Sequence, residues 1–482
     1  MRRAFVTLLF VCLFFSALVG CSGPQFQGSL PGRDGNGSGQ PVPPSGQPQV
    51  TSVSPSTAVA GGASFTLTVT GLNFSPSTTV LWDDNTSLAT TYISSTSLKA
   101  QVPASLIGHP DTVTITPSPL LSINFSGSFT ITSAPLTGNP SLSVSMVPVQ
   151  ANDIAWDQVN QKFYLSVASG NGTSANTITA LDPQTSALGS SVSTGSEPGK
   201  LAISTDGTYI YAGLNSAASV QRYTLPALQP DINIQLGSAL SGPYYAIDIQ
   251  AEPASPHSVA VSRGVQSGST REEGGILIYD DAVARSQSVP GFGVSGKGPI
   301  DSLVWNPNGQ SLYGIDTERE SGLYIMSVSS AGVQLQTQIP AAGSDLGNHL
   351  HFDSTTGYIY TDSGKVIDPS TNSVIGSFPL NAVQGGFNGS PIMVPDGKLN
   401  IAYFLGQSIN GGVGSDFIEA FDLMNFTLLG SSPITNVSGT PSRMIRWGNN
   451  GLAFLTVSAS GTGATGNGVY LLSGGFVTSP AP

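Results

Sequence analysis

A strand pattern recurs seven times between residues 140 and 478, and it limits the fold of this chain more than any other feature. Each copy starts with a short apolar run, turns into a second run and ends in a third, usually followed by a weaker fourth. The first runs lie at 153–156, 200–203, 246–249, 302–305, 349–352, 392–394 and 444–447. Four-stranded repeats of about 50 residues are typical of propeller blades. We therefore predict an all-β chain with a seven-bladed β-propeller at 140–478.

Both ends of the repeat region agree with seven blades. The last copy lacks a clear fourth strand, and an unassigned strand at 142–147 precedes the first copy. Pairing this strand with the last blade would close the ring and remove an open sheet edge. Six or eight blades would leave one end of the region unexplained.

The first residues of the chain have the pattern of an export signal. Two arginines precede an apolar run at 4–19, which is shorter than the about 20 residues of a usual membrane span. The run ends in LVGC, and this motif resembles a bacterial lipobox. The resemblance implies a signal peptide at 1–20 and a lipidated Cys21 at the start of a mature lipoprotein. An ordinary signal peptide with an incidental cysteine is the alternative.

Two further segments lie between the signal and the propeller. Residues 21–47 are mainly Gly, Ser, Pro and Gln, and this composition predicts a flexible tether. Short alternating runs at 48–134 predict an immunoglobulin-like β-sandwich. Its motifs are SVSP at 52–55, GG at 61–62, VTGLNF at 69–74, VLW at 80–82 and VPA at 102–104. Their order resembles the IPT/TIG domain, which implies a spacer or interaction module without catalytic residues.

Parts of the repeat resemble a second family. The segments NTITALDPQT at 176–185 and PGKLAISTDG at 198–207 are similar to the YVTN-like and lactonase-like propellers of exported bacterial proteins. The match is also good at 366–371, and it weakens in the third and sixth copies. Because propellers host many unrelated functions, the resemblance implies the fold and not one activity.

Charge and cysteine content exclude several classes of protein. The formal net charge is −12, and only 9% of the residues are charged. Nucleic-acid binding requires basic patches, so we predict no nucleic-acid partner. The same acidity opposes attraction to anionic lipid, which leaves an acyl chain as the membrane attachment. Cys12 and Cys21 are the two cysteines, so no internal disulfide is expected after cleavage.

One cluster of polar residues is a candidate ligand site. Six ionisable residues stand at or just before the starts of first runs: Asp153, Lys200, Asp248, Asp301, His349 and Arg443. First strands line the channel of a propeller, so these residues should open onto one mouth of it. Concave openings with convergent polar groups are the default binding sites of proteins. Solvated strand ends that tolerate charge are the alternative.

Signals for metal binding or nucleophilic catalysis are weak, and we predict no catalytic residue and no cofactor. His349 and His351 share one face of a strand, but two ligands are too few for zinc. No loop follows the twelve-residue calcium pattern, although a scattered calcium site stays open. Trp156, Trp305 and Trp447 occupy equivalent repeat positions, which favours packing between blades over a sugar platform.

These features predict a lipid-anchored, exported binding protein. The acyl chain on Cys21 would attach it to the cell envelope, and Ser22 in place of an aspartate favours the outer membrane. The propeller would bind an envelope glycan or an envelope protein. The alternative is a lactonase-like hydrolase or lyase at the channel mouth, with acidic or histidine residues as the base or as metal ligands. A structural role in a larger envelope assembly is a third interpretation.

Overall fold

The computed structural model describes residues 46–478. Its gaps are 61, 108–110, 120–125, 133–140, 172–173, 254, 268–269, 292–299, 318–321, 340–345, 381–390, 411–412, 450 and 458–466. The predicted signal peptide, Cys21 and nearly all of the predicted tether lie outside the described residues. Within the described part, no helix is both long enough and apolar enough to cross a bilayer.

The first folded part is a β-sandwich of eight short strands. In spatial order the strands are Gln49–Ser54, Phe65–Leu72, Ser97–Val102, Thr86–Ser94, Thr79–Trp82, Asp111–Ser118, Gly127–Thr132 and Thr57–Val59. All neighbours are antiparallel except the last two, which run parallel. The strand Thr86–Ser94 pairs with both halves of the sandwich and so joins them.

One apolar core fills this sandwich, because alternate residues of each strand point inward. Trp82 is 4% exposed, and its ring centroid lies 5.3 Å from that of Phe129. Phe65 stacks on the same phenylalanine at 5.5 Å. These rings join strands from the two halves. The predicted immunoglobulin-like sandwich is therefore confirmed.

The rest of the described chain forms seven four-stranded sheets, one for each repeat. The first three are Ala151–Asp157, Lys162–Val167, Thr177–Asp182 and Ala187–Ser193; Pro198–Ile203, Tyr209–Leu214, Ser219–Thr224 and Gln229–Gln235; and Tyr245–Ala251, Ser258–Ser267, Thr270–Asp280 and Val283–Ala284. The next three are Ser302–Trp305, Ser311–Ile315, Leu323–Ser329 and Gly332–Ile339; Leu350–Phe352, Ile359–Thr361, Lys365–Asp368 and Ser373–Ser377; and Ile392–Asp396, Ile401–Asn410, Val413–Asp422 and Leu428–Ile434. A small hairpin, Ser238–Ala239 with Gly242–Pro243, lies between the second and third blades.

The seventh blade is completed by a strand from the other end of the domain. Its strands are Thr440–Trp447, Gly451–Val457, Val469–Ser473 and, as the fourth, Ser143–Val147. Leu471 pairs antiparallel with Ser145 in this ladder. The strand predicted to close the ring therefore does so, and the seven-bladed propeller is confirmed.

Apolar side chains from neighbouring blades share common cores. Leu471 of the seventh blade packs in one cluster with Ile154 and Phe163 of the first blade. The rings of Phe163 and Trp447 meet edge to face across this junction, with centroids 6.3 Å apart. Because each blade buries its faces against its neighbours, the ring holds all of the first strands in fixed positions around the axis.

Candidate functional site

The first strands of the blades surround the channel of the propeller. First strands of neighbouring blades contact each other around most of the ring. Since every first strand runs in the same direction along the channel, all of their starts meet at one end. A cavity of about 460 Å³ opens there. Five of the six predicted site residues line it: Lys200, Asp248, Asp301, His349 and Arg443.

The sixth residue, Asp153, lies behind the cavity wall and is 1% exposed. Arg443 donates a charge-assisted hydrogen bond from Nη1 to its Oδ1 atom, which joins the seventh blade to the first. The backbone N–H of Leu201 donates to its Oδ2 atom at 2.9 Å. Both carboxylate oxygens therefore hold blades together, and Asp153 is a structural neighbour of the cavity.

A repeated hydrogen bond between blades explains a second predicted charge. Asp248 accepts the backbone N–H of Leu303, in the next blade, at 2.7 Å. Ser302 accepts the N–H of Leu350, one blade further on, at 3.2 Å. In the blades Asp153, Asp248 and Ser302 occupy the same position, because the first strand of the third blade is displaced by two residues from the run predicted at 246–249. Each of the three accepts an N–H of the following first strand. Aligning the seven repeats at this position would show from sequence which side chains can form a hydrogen bond to the next blade.

The electrostatic state of two of these groups follows from their surroundings. Burial raises the pKa of Asp248, and the nearby Lys200 ammonium and the N–H of Leu303 oppose part of that rise. Burial alone would lower the pKa of Arg443, but Asp153 and Asp248 outweigh it and raise that pKa. Arg443 therefore stays charged and fixed against its partner.

Lys200 differs from the other charged groups of the cavity. Its side chain is half-buried, and its ammonium lies near enough to Asp248 to affect the pKa of that carboxyl. Within the described ranges, no carboxylate lies within ion-pair distance of this ammonium. Lys200 is therefore free to donate hydrogen bonds to a ligand in the cavity.

Asp301 presents a carboxylate at the same opening. Thr317 holds it, with the backbone N–H donating to Oδ1 at 3.0 Å and the hydroxyl donating to Oδ2. These contacts fix the carboxylate, and a carboxylate has further lone pairs for a ligand. Thr317 also lines the cavity and was not predicted from sequence.

Two histidines of the cavity wall share one buried carboxylate. His349 Nδ1 lies 2.7 Å from Asp362 Oδ2, and His351 Nε2 lies 3.4 Å from Oδ1. The N–H of Met393, in the next blade, donates to Oδ1 at 3.0 Å. Burial alone would raise the pKa of Asp362, but the two imidazoles and their hydrogen bonds lower it to about 2. Burial lowers the pKa of His351.

Asp362 is a residue of this site that was not predicted from the sequence. It follows the strand Ile359–Thr361, and its N–H bonds to the carbonyl of His349 across the hairpin at 3.4 Å. Residues directly opposite in a hairpin are in contact, so a register argument would have found it. Among the residues that the structure describes, no group of three or more His, Cys, Asp or Glu side chains is arranged to hold a metal ion.

Comparison with known proteins identifies one domain of the chain. Residues 48–150 match the model of the IPT/TIG domain family. The predicted boundary of this domain was 134, and the matched span also includes the strand Ser143–Val147 that completes the seventh blade. No curated protein matches the chain.

Many solved structures match the chain, and two of them illustrate the similarity of fold. Kuenenia stuttgartiensis hydrazine synthase is 14% identical, with a TM-score of 0.44 over 65% of this chain and 94% of that chain. The Cps50 (Swd1) β-propeller domain of Myceliophteria thermophila is 10% identical, with a TM-score of 0.47 over 69% of this chain and 99% of that chain. Neither likeness bears on activity.

Proposed function

We propose that this protein is an exported, lipid-anchored binding protein whose propeller cavity takes a neutral polar ligand, a segment of envelope glycan. The observation that carries this proposal is the Lys200 ammonium, which has no ion-pair partner among the described residues and lies in a cavity whose other charges are fixed by protein contacts. A fixed set of polar groups loses little conformational entropy when a ligand binds.

The balance of charge in the cavity favours a neutral ligand. Three carboxylates line it, from Asp248, Asp301 and Asp353, and three cations line it, from Lys200, Arg443 and Arg446. The buried carboxylates of Asp153 and Asp362 lie directly behind. A polyanion would therefore meet no net positive field, whereas a sugar needs alternating donors and acceptors such as these.

Binding of neutral oligosaccharides to the full chain in detergent tests this proposal. The probes are the tetramers of N-acetylglucosamine and of β-1,4-linked glucose, and calorimetry measures their affinity. We expect K200M to lower the affinity of the bound tetramer about tenfold, as expected for losing a charge-assisted hydrogen bond. K162M, at an exposed lysine of the first blade, is the control and should bind as the parent does.

Arg443 is unsuitable as a binding probe, because its loss would leave the buried Asp153 without its cation. The proposal of a glycan ligand fails if neither tetramer binds, or if K200M and K162M behave alike. Binding of an envelope protein that K200M abolishes, without binding of a tetramer, would favour the protein partner instead.

A second candidate function rests on the contact between His349 and Asp362. A carboxylate at Nδ1 orients an imidazole and leaves its Nε2 atom for proton transfer. In a lactone hydrolase, Nε2 would accept a proton from water as the water oxygen adds to the carbonyl carbon. The ring C–O bond would then break, and the leaving oxygen would take that proton. Acid release from a lactone that H349Q abolishes would support this candidate over simple binding.

The cellular location of the protein is part of the proposal. Cys21 carries the acyl chain, the segment at 21–47 acts as the tether, and the outer membrane is the favoured location. These features rest on the LVGC motif and on composition.

A further inference from the structure

A second cavity adjoins the first one along the propeller channel, toward the ends of the first strands. It has a volume of about 260 Å³ and is lined by residues at or after the ends of first strands. The first cavity extends from the strand starts along the channel, and the two cavities share Asp353, Pro395 and Arg446. The lining comes from the first, fifth, sixth and seventh blades, which are consecutive in the closed ring. It includes Trp156, Asp353, Asp396, Lys398 and Arg446.

Trp156 sits in this cavity, unlike the equivalent tryptophan of the fourth blade. Trp305 is 6% exposed and donates its indole N–H to the carbonyl of Gln250 at 3.2 Å. Trp156 is half-buried, and its ring rests against Phe163 with a centroid distance of 4.9 Å. The Trp447 ring also lies beside the indole, with a centroid distance of 6.1 Å, and the part of the indole that these two rings leave uncovered lines the cavity. Packing between blades, the role predicted for all three repeat tryptophans, therefore accounts for only part of the Trp156 side chain.

The carboxylates beside Trp156 are held in fixed positions. Asp353 accepts backbone N–H groups from Thr355 and Thr356 on Oδ1, and the N–H of Gly397 donates to Oδ2 at 2.9 Å. Asp396 pairs with Arg446 through Nε at 2.7 Å. Each carboxylate retains lone pairs for further hydrogen bonds, so the cavity offers oriented acceptors next to an aromatic face.

The chemistry of this lining matches one class of ligand. Two carboxylates and two cations balance each other, which gives no preference for an anion or a metal ion. A pyranose ring has an apolar face of C–H groups, which an electron-rich indole face attracts, and hydroxyls at its rim that bond to carboxylates and amines. We propose that this Trp156 cavity is a second binding site, for one ring of a neutral saccharide. Lys200 lines the first cavity and not this one, so a variant at Lys200 tests the first cavity while the Trp156 contact is kept.

Tryptophan fluorescence of the full chain tests this second site. The probes are again the tetramers of N-acetylglucosamine and of β-1,4-linked glucose. We expect a saturable change in emission, because a sugar stacked on Trp156 displaces water from its indole. W156F should remove this change, and W156L should lower the affinity about tenfold. K398M, at an exposed lysine of the same lining, should weaken binding without disturbing the fold.

Two controls separate a binding role from a packing role. W305F alters the equivalent buried tryptophan and should leave the fluorescence titration unchanged. K200M alters the first cavity and should also leave the Trp156 signal unchanged. Loss of binding in one cavity can therefore be distinguished from loss of binding in the other. The second site is overturned if neither tetramer changes the emission, if W156F keeps the change, or if W305F and W156F reduce it equally.

Discussion

Glu419 lies in the third strand of the sixth blade with a fully buried side chain. Within the described ranges, neither of its carboxylate oxygens has a hydrogen-bond partner. Its cross-strand neighbours are Phe404 and Ser431. Burial raises the pKa of Glu419 to about 7, because the ionised form would lose its hydration without a compensating bond.

We predict that E419Q makes the protein more stable at alkaline pH. A folded-state pKa above the ordinary value means that the folded state holds the proton more tightly than the unfolded state. Stability is therefore lost as pH rises from about 4.5 to about 7, by at most about 3 kcal/mol. The glutamine has no such loss, so its advantage should appear at pH 8 and vanish near pH 4.5.

Urea unfolding of both proteins at these two pH values measures this difference. Asp416, whose pKa is also raised by burial, is present in both proteins and cancels in the comparison. An equal effect of E419Q at both pH values would show that Glu419 does not titrate between them.

Among the strands, Ser143–Val147 is expected to affect the stability of the whole propeller most, because it closes the ring. It covers the edge of Val469–Ser473, which would otherwise expose unpaired backbone groups. We predict that S145P lowers the melting temperature and promotes aggregation, since proline removes a backbone donor inside this ladder. Calorimetry and light scattering measure the two effects.

The matched control for this variant is S191P, in the outer strand of the first blade. Ser191 is also exposed and pairs with Thr179, but its strand does not close the ring. We expect S191P to have a smaller effect, because the covalent chain already connects that strand to its blade. Equal losses for the two proline variants would contradict a special role for the closing strand.

Prediction from sequence succeeded for elements whose pattern repeats. Alternating apolar residues and turns located the strands, and the incomplete last copy located the closing strand at 142–147. The channel site was partly predictable, because a shared strand direction brings Lys200, Asp301 and His349 together. The pairing of Arg443 with Asp153 was not, because it joins residues 290 positions apart through ring closure. Asp362 was not predictable in this way, because it lies after a second strand and not at the start of a first strand.

For the whole molecule, the proposed location at the membrane depends on the side chain of Cys21. We predict that C21S abolishes acylation and moves the protein from the membrane fraction to the soluble fraction, because an acyl chain is the proposed attachment. Fractionation and the mass of the N-terminal peptide measure this. C12S is the control, since Cys12 lies in the segment that the proposal removes as a signal peptide. Membrane retention of C21S at the level of C12S would contradict lipid anchoring.

Hydrogen exchange of the full chain, with and without a saturating tetrasaccharide, tests most directly whether the propeller channel binds the ligand. We predict slower exchange in the segments that contain Lys200, Asp301 and His349, and unchanged exchange in the sandwich strands at 49–132. Fixed groups at the starts of the first strands would contact the sugar and restrain those backbones. Slowing confined to the sandwich or to the outer strands of the blades would contradict the channel as the binding site.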